Sequence, residues 1–397
     1  MTTLPAASQV RTLVAGWQDR LVHLLERMAL AESPSLEPHS QHKIREVICD
    51  EFVSRGFRAR RVPGRNSGGM LLAAPADRVR GLPAQLMLGH YDTVWPLGTL
   101  KDMPFERDGD VVRGPGVYDM KGGIAQVLMA IDVLNHFGVQ PSVTPVFFAN
   151  SDEEIGSRDS RRWIESLARF MDRVFVLEPS LGQKGRLKTA RKGIGRFTVT
   201  VMGKAAHAGL DPTGGASAIL ELSHVIQYLF ALNDHERGVT VNVGTIDGGL
   251  RPNVIAPESR AVADVRVETL ADAERVEAEI RALAPSTPGT RLEIEGGFGR
   301  PALERTPENR ELWKLARELG RTMGLELEEG MAGGGSDGNT TSLYTATLDG
   351  LGPVGDGAHA PHEHLLIEPT LDRAALLAVL LMAHPLSGAG KRQAGVG

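Results

Sequence analysis

At 397 residues, 42% hydrophobic and 23% charged, the chain has the make-up of a globular protein with room for two domains. A formal net charge of -5 and the lack of any Lys/Arg-rich block argue against nucleic acid as a partner. A lone cysteine, Cys49, excludes an intramolecular disulfide, and no apolar run approaches the ~20 residues of a membrane span.

The first residues, MTTLPAASQVRTLVAGWQDR, lack a basic stretch followed by an apolar one. No secretory signal is expected, and a cytoplasmic location is the default. Val10, Leu13, Val14, Trp17, Leu21, Leu24, Leu25 and Met28 recur at helical spacing and predict one opening amphipathic helix. A second helix is expected over 40–56. Apolar runs at 70–74, 85–89, 145–149 and 173–177 are continuous rather than alternating, as in strands buried on both faces. A helix over 124–137, opened by Gly122-Gly123, lies among them. Strands alternating with helices predict an α/β sheet. His90, Glu153, Glu154 and Glu178 fall just after the ends of these runs, at the edge where open α/β sheets bind ligands.

From about Gly193 the pattern changes. Alternating strands at 197–201, 239–246, 261–267 and 291–295, with helices at 216–232 and 271–284, give the order β-α-β-β-α-β, a ferredoxin-like unit. After Arg300-Pro301 the α/β pattern resumes: a helix over 308–323, a Gly-rich turn at 333–337 and a closing helix over 370–384. The expected division is a discontinuous first domain, 1–191 plus 302–397, and an inserted domain, 192–301. The Gly-rich tail, 388–397, is expected to be disordered.

Three motifs carry the chemistry: His90-Tyr91-Asp92-Thr93-Val94, Gly116-Val117-Tyr118-Asp119-Met120-Lys121-Gly122-Gly123, and Asp152-Glu153-Glu154-Ile155-Gly156-Ser157. Each has an ordinary explanation when read alone. Asp92 and Asp119 suit helix caps, and Glu153-Glu154 suits a solvated loop. Together they offer imidazole nitrogen, hard carboxylate oxygen and one spare carboxylate, the donor set of a two-metal hydrolase. Glu178, pinned before Pro179, and one histidine of the run Gly355 to His364 could complete it. The Gly-flanked His359 is the choice among His359, His362 and His364.

In combination these motifs resemble the co-catalytic zinc metallopeptidases, which include aminoacylase, acetylornithine deacetylase, succinyl-diaminopimelate desuccinylase and carboxypeptidase G. The resemblance covers nearly the whole length. It implies a catalytic domain with a mixed central sheet flanked by helices, plus an inserted βαββαβ dimerisation and lid domain. It further implies two zinc ions, with cobalt or manganese as alternatives, bridged by Asp119. His90 and Glu178 would complete one site, Glu154 and His359 the other. Asp92 would orient His90, Glu153 would act as general base, and Asp119–Met120 would be a cis peptide. His207, in Gly203 to Gly209, matches a histidine that reaches across a homodimer to the oxyanion.

The subgroup most resembled is the glutamate carboxypeptidases, through Glu178-Pro179, residues 188–193, Arg251 to Ile255 with Pro257, Asp264-Val265-Arg266, Gly299-Arg300-Pro301 and Gly333 to Asp337. That implies substrate contacts from Asn253, Arg266 and Arg300, with Gly335 and Ser336 nearby; a guanidinium can grip a carboxylate bidentately. Arg186 and Lys188 depart from the subgroup pattern, which speaks against folate-type substrates. The expected activity is release of a C-terminal amino acid, glutamate above all, from a small peptide or N-acyl amino acid. The alternatives are an N-acyl amino acid deacylase and a non-catalytic binding protein of the same fold.

Overall fold

The computed structural model describes residues 4–79 and 81–386, so the tail at 388–397 lies outside the described residues. The chain divides into two compact units. The first comprises residues up to Thr189, Arg305–Met331 and the chain from Ser336. The second comprises Ala190–Glu304 and Ala332–Gly335. No helix among the described residues is long and apolar enough to cross a membrane.

The first unit is built on a six-stranded mixed sheet in the order Phe57–Val62, Met70–Pro75, Thr144–Asn150, Ala84–His90, Met171–Val176, Ala346–Leu348. The first two strands pair antiparallel, and the four from Thr144–Asn150 onward run parallel. The continuous apolar runs have a direct cause. Met87, Phe147 and Phe175 enter the main core on one face, while Leu86, Leu88, Val146, Phe148, Val174 and Val176 fill a second core on the other. Successive strand side chains point to opposite faces, so a sheet covered on both sides is apolar at most positions; the buried polar residues Gln85 and Arg173 hydrogen-bond to each other. Two almost wholly buried helices, Gly122–Phe137 and Ile367–Met382, pack together within the main core.

The opening segment differs from expectation. It forms two helices, Ala7–Ala15 and Gln18–Ala29, parted at Gly16-Trp17. The apolar residues stay in helical register across the break, so periodicity alone does not reveal it. The helix Arg161–Ala168 and the short strands Glu106–Asp108, Val111–Arg113 and His364–Leu366 are further elements that the spacing does not predict.

The second unit carries a four-stranded antiparallel sheet in the order Thr240–Gly248, Glu258–Val267, Gly193–Met202, Arg291–Arg300. With helices Ala218–Ala231 and Leu270–Arg281 this is the βαββαβ arrangement. Here one face is covered: Phe197, Val199 and Val201 meet Val225, Leu229, Val276 and Ile280, while the intervening residues are only partly buried.

Candidate metal centre and its supporting residues

The three central parallel strands deliver their C-terminal ends to one edge of the sheet. His90 closes Ala84–His90, Glu153 and Glu154 follow Thr144–Asn150, and Glu178 follows Met171–Val176. Asp119 reaches the same place from the turn Val117–Lys121, ahead of the buried helix. Gly123 lets that helix approach: a Cβ there would sit 2.2 Å from the Leu177 carbonyl oxygen. His359 comes from a loop where its own φ is 61° and that of Gly357 is 82°.

Asp119 stands in the middle. Its Oδ1 lies 3.3 Å from His90 Nε2, and its Oδ2 lies 3.4 Å from His359 Nε2. Glu178 Oε1 is 3.5 Å from His90 Nε2, and Glu154 Oε2 is 3.1 Å from His359 Nε2. Among the described residues, donor atoms of His90, Asp119 and Glu154, and of His90, Glu153 and Glu178, gather closely enough to hold a metal ion. Two buried oxygens among the described residues, Asp119 Oδ1 and Glu154 Oε1, lack a well-formed hydrogen bond, although His90 Nε2 stands 3.3 Å from the first. Buried carboxylate oxygens short of donors are costly unless a cation completes them, so the donor set fits a metal pair. The Asp119–Met120 peptide is cis.

The site's electrostatics follow from this packing. Burial alone would lower the His90 pKa, but the carboxylates of Asp119, Asp92 and Glu178 lift it well above its ordinary value. Burial, with the like charge of Asp119 adding to it, pushes Glu154 up to about 7 against the pull of His359. Hydrogen bonds to Asp119 and Glu154 raise His359 to about 10. Asp119 is held below the usual carboxylate range: its two histidines outweigh its burial. Such a crowd of acids and bases suits the binding of dications, which replace the shared protons.

Asp92 touches more than His90. Its Oδ1 lies 3.4 Å from His90 Nδ1 and accepts the Glu153 backbone N–H at 3.2 Å. Its Oδ2 accepts the Glu154 N–H at 3.2 Å and the Ser35 hydroxyl at 2.7 Å. Ser35 was not singled out in the sequence. Neither was Glu363, a buried carboxylate that accepts the N–H groups of Gly116, Tyr118 and Asp119. It lies inside the histidine-rich run, where histidine draws attention away from the acid.

His207, Asn253, Arg266, Arg300 and Gly335 belong to the second unit. His207 Nδ1 accepts the N–H groups of Gly209 and Leu210, both at 3.1 Å, so the neutral ring carries its proton on Nε2. Asn253 is exposed on the adjoining segment, where its carbonyl accepts the Ala208 N–H at 3.0 Å. The Arg266 fork is engaged by Asp264 at 2.7 and 3.0 Å. Arg300 is buried, and a Cβ on Gly335 would meet its Cδ at 2.8 Å. Ser336, in the first unit, is fully buried; its hydroxyl donates to Asp349 Oδ2 at 2.6 Å and accepts the Gly338 N–H at 3.0 Å. That hydroxyl is a helix cap already committed to the fold.

The chain is similar to known hydrolases along most of its length. It is 31% identical to carboxypeptidase G2 of Pseudomonas sp. (strain RS-16) over 79% of this chain and 76% of that protein. It is 29% identical to succinyl-diaminopimelate desuccinylase of Xanthomonas oryzae pv. oryzae (strain MAFF 311018) over 76% of this chain and 84% of that one. Aminopeptidase PepT from Bacillus cereus ATCC 10987 shares the fold with a TM-score of 0.79 at 20% identity, covering 92% of this chain and 98% of its own. Residues 86–383, which span every residue of the cluster around Asp119, match the model of peptidase family M20/M25/M40, and the chain belongs to that family of metal-dependent hydrolases acting on amide and peptide bonds.

Proposed function

We propose that the protein is a two-zinc carboxypeptidase-type amidohydrolase that releases a C-terminal amino acid, glutamate above all, from a small peptide or N-acyl substrate. The observation that carries this reading is Asp119, with one carboxylate oxygen facing His90 and the other His359. Asp119 would bridge two metals, His90 and Glu178 holding one and Glu154 and His359 the other. Zinc, or cobalt or manganese in its place, would polarise the amide carbonyl and make a nearby water acidic. Glu153 takes the proton of the attacking water and returns it to the leaving amine. His207, with its proton on Nε2, donates to the developing oxyanion. Asn253, Arg266 and Arg300 receive the substrate carboxylate.

In this reading the first unit is catalytic and the second serves dimerisation and substrate closure. A homodimer through the second unit is favoured by its edge strand Thr240–Gly248, where Ile246 is 67% exposed, and by Leu250, 72% exposed. A reducing, cytoplasmic setting suits the single buried thiol, Cys49. The similarity to desuccinylase favours a second reading, an N-acyl amino acid deacylase. Side-by-side assay of N-acyl-glutamates, glutamyl dipeptides, N-acetylornithine and N-succinyl-diaminopimelate separates the two. Preferred turnover of the last pair overturns the glutamate assignment.

A further inference from the structure

Glu363 is 1% exposed and belongs to the same loop as His359. Its backbone N–H donates to the Ala360 carbonyl at 2.9 Å, closing the turn just after that histidine. Its carboxylate reaches two other segments. Oε2 accepts Trp95 Nε1–H at 2.7 Å and the Gly116 N–H at 2.9 Å. Oε1 accepts the Tyr118 and Asp119 N–H groups, both at 3.0 Å.

Trp95 belongs to the loop that follows His90, and Gly116 to Asp119 form the turn that presents the central aspartate. One buried carboxylate therefore joins three segments, each of which brings one of His90, Asp119 and His359. A desolvated carboxylate must find donors for its lone pairs, and these donors are all on those segments. Their relative positions are set by the same four bonds that satisfy the buried acid. Outer groups that hold ligands in this way govern metal affinity as well as rate.

We propose that Glu363 is a positioning residue, which fixes Asp119 against His359 and His90 and thereby sets the spacing of the two metal sites. The proposal rests on the two-metal reading above. Glu363→Gln tests it. The side chain keeps its size, but its NH2 group is set against N–H donors and cannot accept from them.

The full chain is stripped with chelator and titrated with Zn2+ by calorimetry, and with Co2+ by visible absorption, while kcat, KM and the metal-free melting temperature are recorded. The expected result is a roughly 10–100-fold loss of metal affinity with an altered Co2+ spectrum. kcat should fall more than KM rises, and the metal-free variant should still unfold cooperatively, at a temperature lowered by the unsatisfied N–H groups. Wild-type affinity within twofold and an unchanged spectrum overturn the proposal. If Glu363→Gln does not fold, Trp95→Phe removes one of the four bonds and should weaken metal binding by about 2–10-fold, the worth of one hydrogen bond; unchanged binding then overturns it. A wild type that binds no metal sinks the two-metal reading and this proposal together. A wild type that binds two ions, with an indifferent Glu363→Gln, sinks only this one.

Discussion

Asp92 Oδ1 accepts the backbone N–H of Glu153 at 3.2 Å, so the residue that faces His90 also holds the start of the Glu153-Glu154 turn. The carboxylate links two strand ends through four contacts: His90, Ser35 and two backbone N–H groups. Asp92→Asn replaces one accepting oxygen by a donor while keeping the shape. It should lower metal affinity and kcat/KM by about 10–100-fold. Titration with Zn2+ and steady-state kinetics check this; a loss confined to kcat, with metal affinity intact, would show that only the Glu153 end matters.

Glu153 has a different expected signature. It is 9% exposed, and its carboxylate gathers with His90 and Glu178, so metal stoichiometry distinguishes a base from a ligand. With Glu153 as the base, Glu153→Gln should bind metal with the wild-type stoichiometry and lose about 10²–10⁴-fold in kcat, the usual worth of a general base. Metal analysis of the purified variant, paired with its turnover, decides the matter. Loss of one ion would reassign Glu153 as a ligand.

Much of the fold is legible in the sequence because burial leaves a period. Strands covered on both faces read as unbroken apolar runs, and the second unit's half-covered sheet reads as alternation at Phe197, Val199 and Val201. The break at Gly16-Trp17 does not show, since Val14 and Leu21 stay on one apolar stripe across it. Strands of two or three residues, such as Gly355–Asp356, are too short to have a period. The cluster itself is legible because His90, Asp119 and Glu154 stand in compact motifs. Glu363 and Ser35 are not, because their partners are backbone N–H groups, a backbone carbonyl or distant side chains, and such contacts leave no pattern in residue type.

Removal of metal should cost stability as well as activity. Among the described residues Asp119 Oδ1 and Glu154 Oε1 are buried without a well-formed hydrogen bond, and a cation that binds only the folded state stabilises it. At a free metal concentration 100 times the dissociation constant the gain is about 2.7 kcal/mol. Chelation should lower the melting temperature and abolish turnover, and added Zn2+ should restore both. Asp119→Asn should lose both ions and show no metal-dependent shift; a shift equal to that of the wild type would rule out the bridge.

The second unit offers a stability test independent of the metal. Glu221 is 1% exposed, and its carboxylate accepts the Ser286 N–H and hydroxyl, each at 3.0 Å, and the Thr287 N–H at 2.6 Å. Burial alone would raise its pKa, but these donors outweigh it and hold the carboxyl below the usual glutamate range. A depressed pKa means that the folded state favours the ionised form. The stabilisation is complete above the unfolded value of about 4.3 and disappears as pH falls through the lower folded value. Glu221→Gln keeps the shape without the charge. It should reduce stability by roughly 1–2 kcal/mol at pH 7. The gap to wild type should narrow as pH falls below about 4. Urea unfolding of both proteins between pH 3 and pH 7, followed by a probe in the second unit, measures that gap. A difference that stays constant over the range would mean that the bonds are made equally well by the neutral acid.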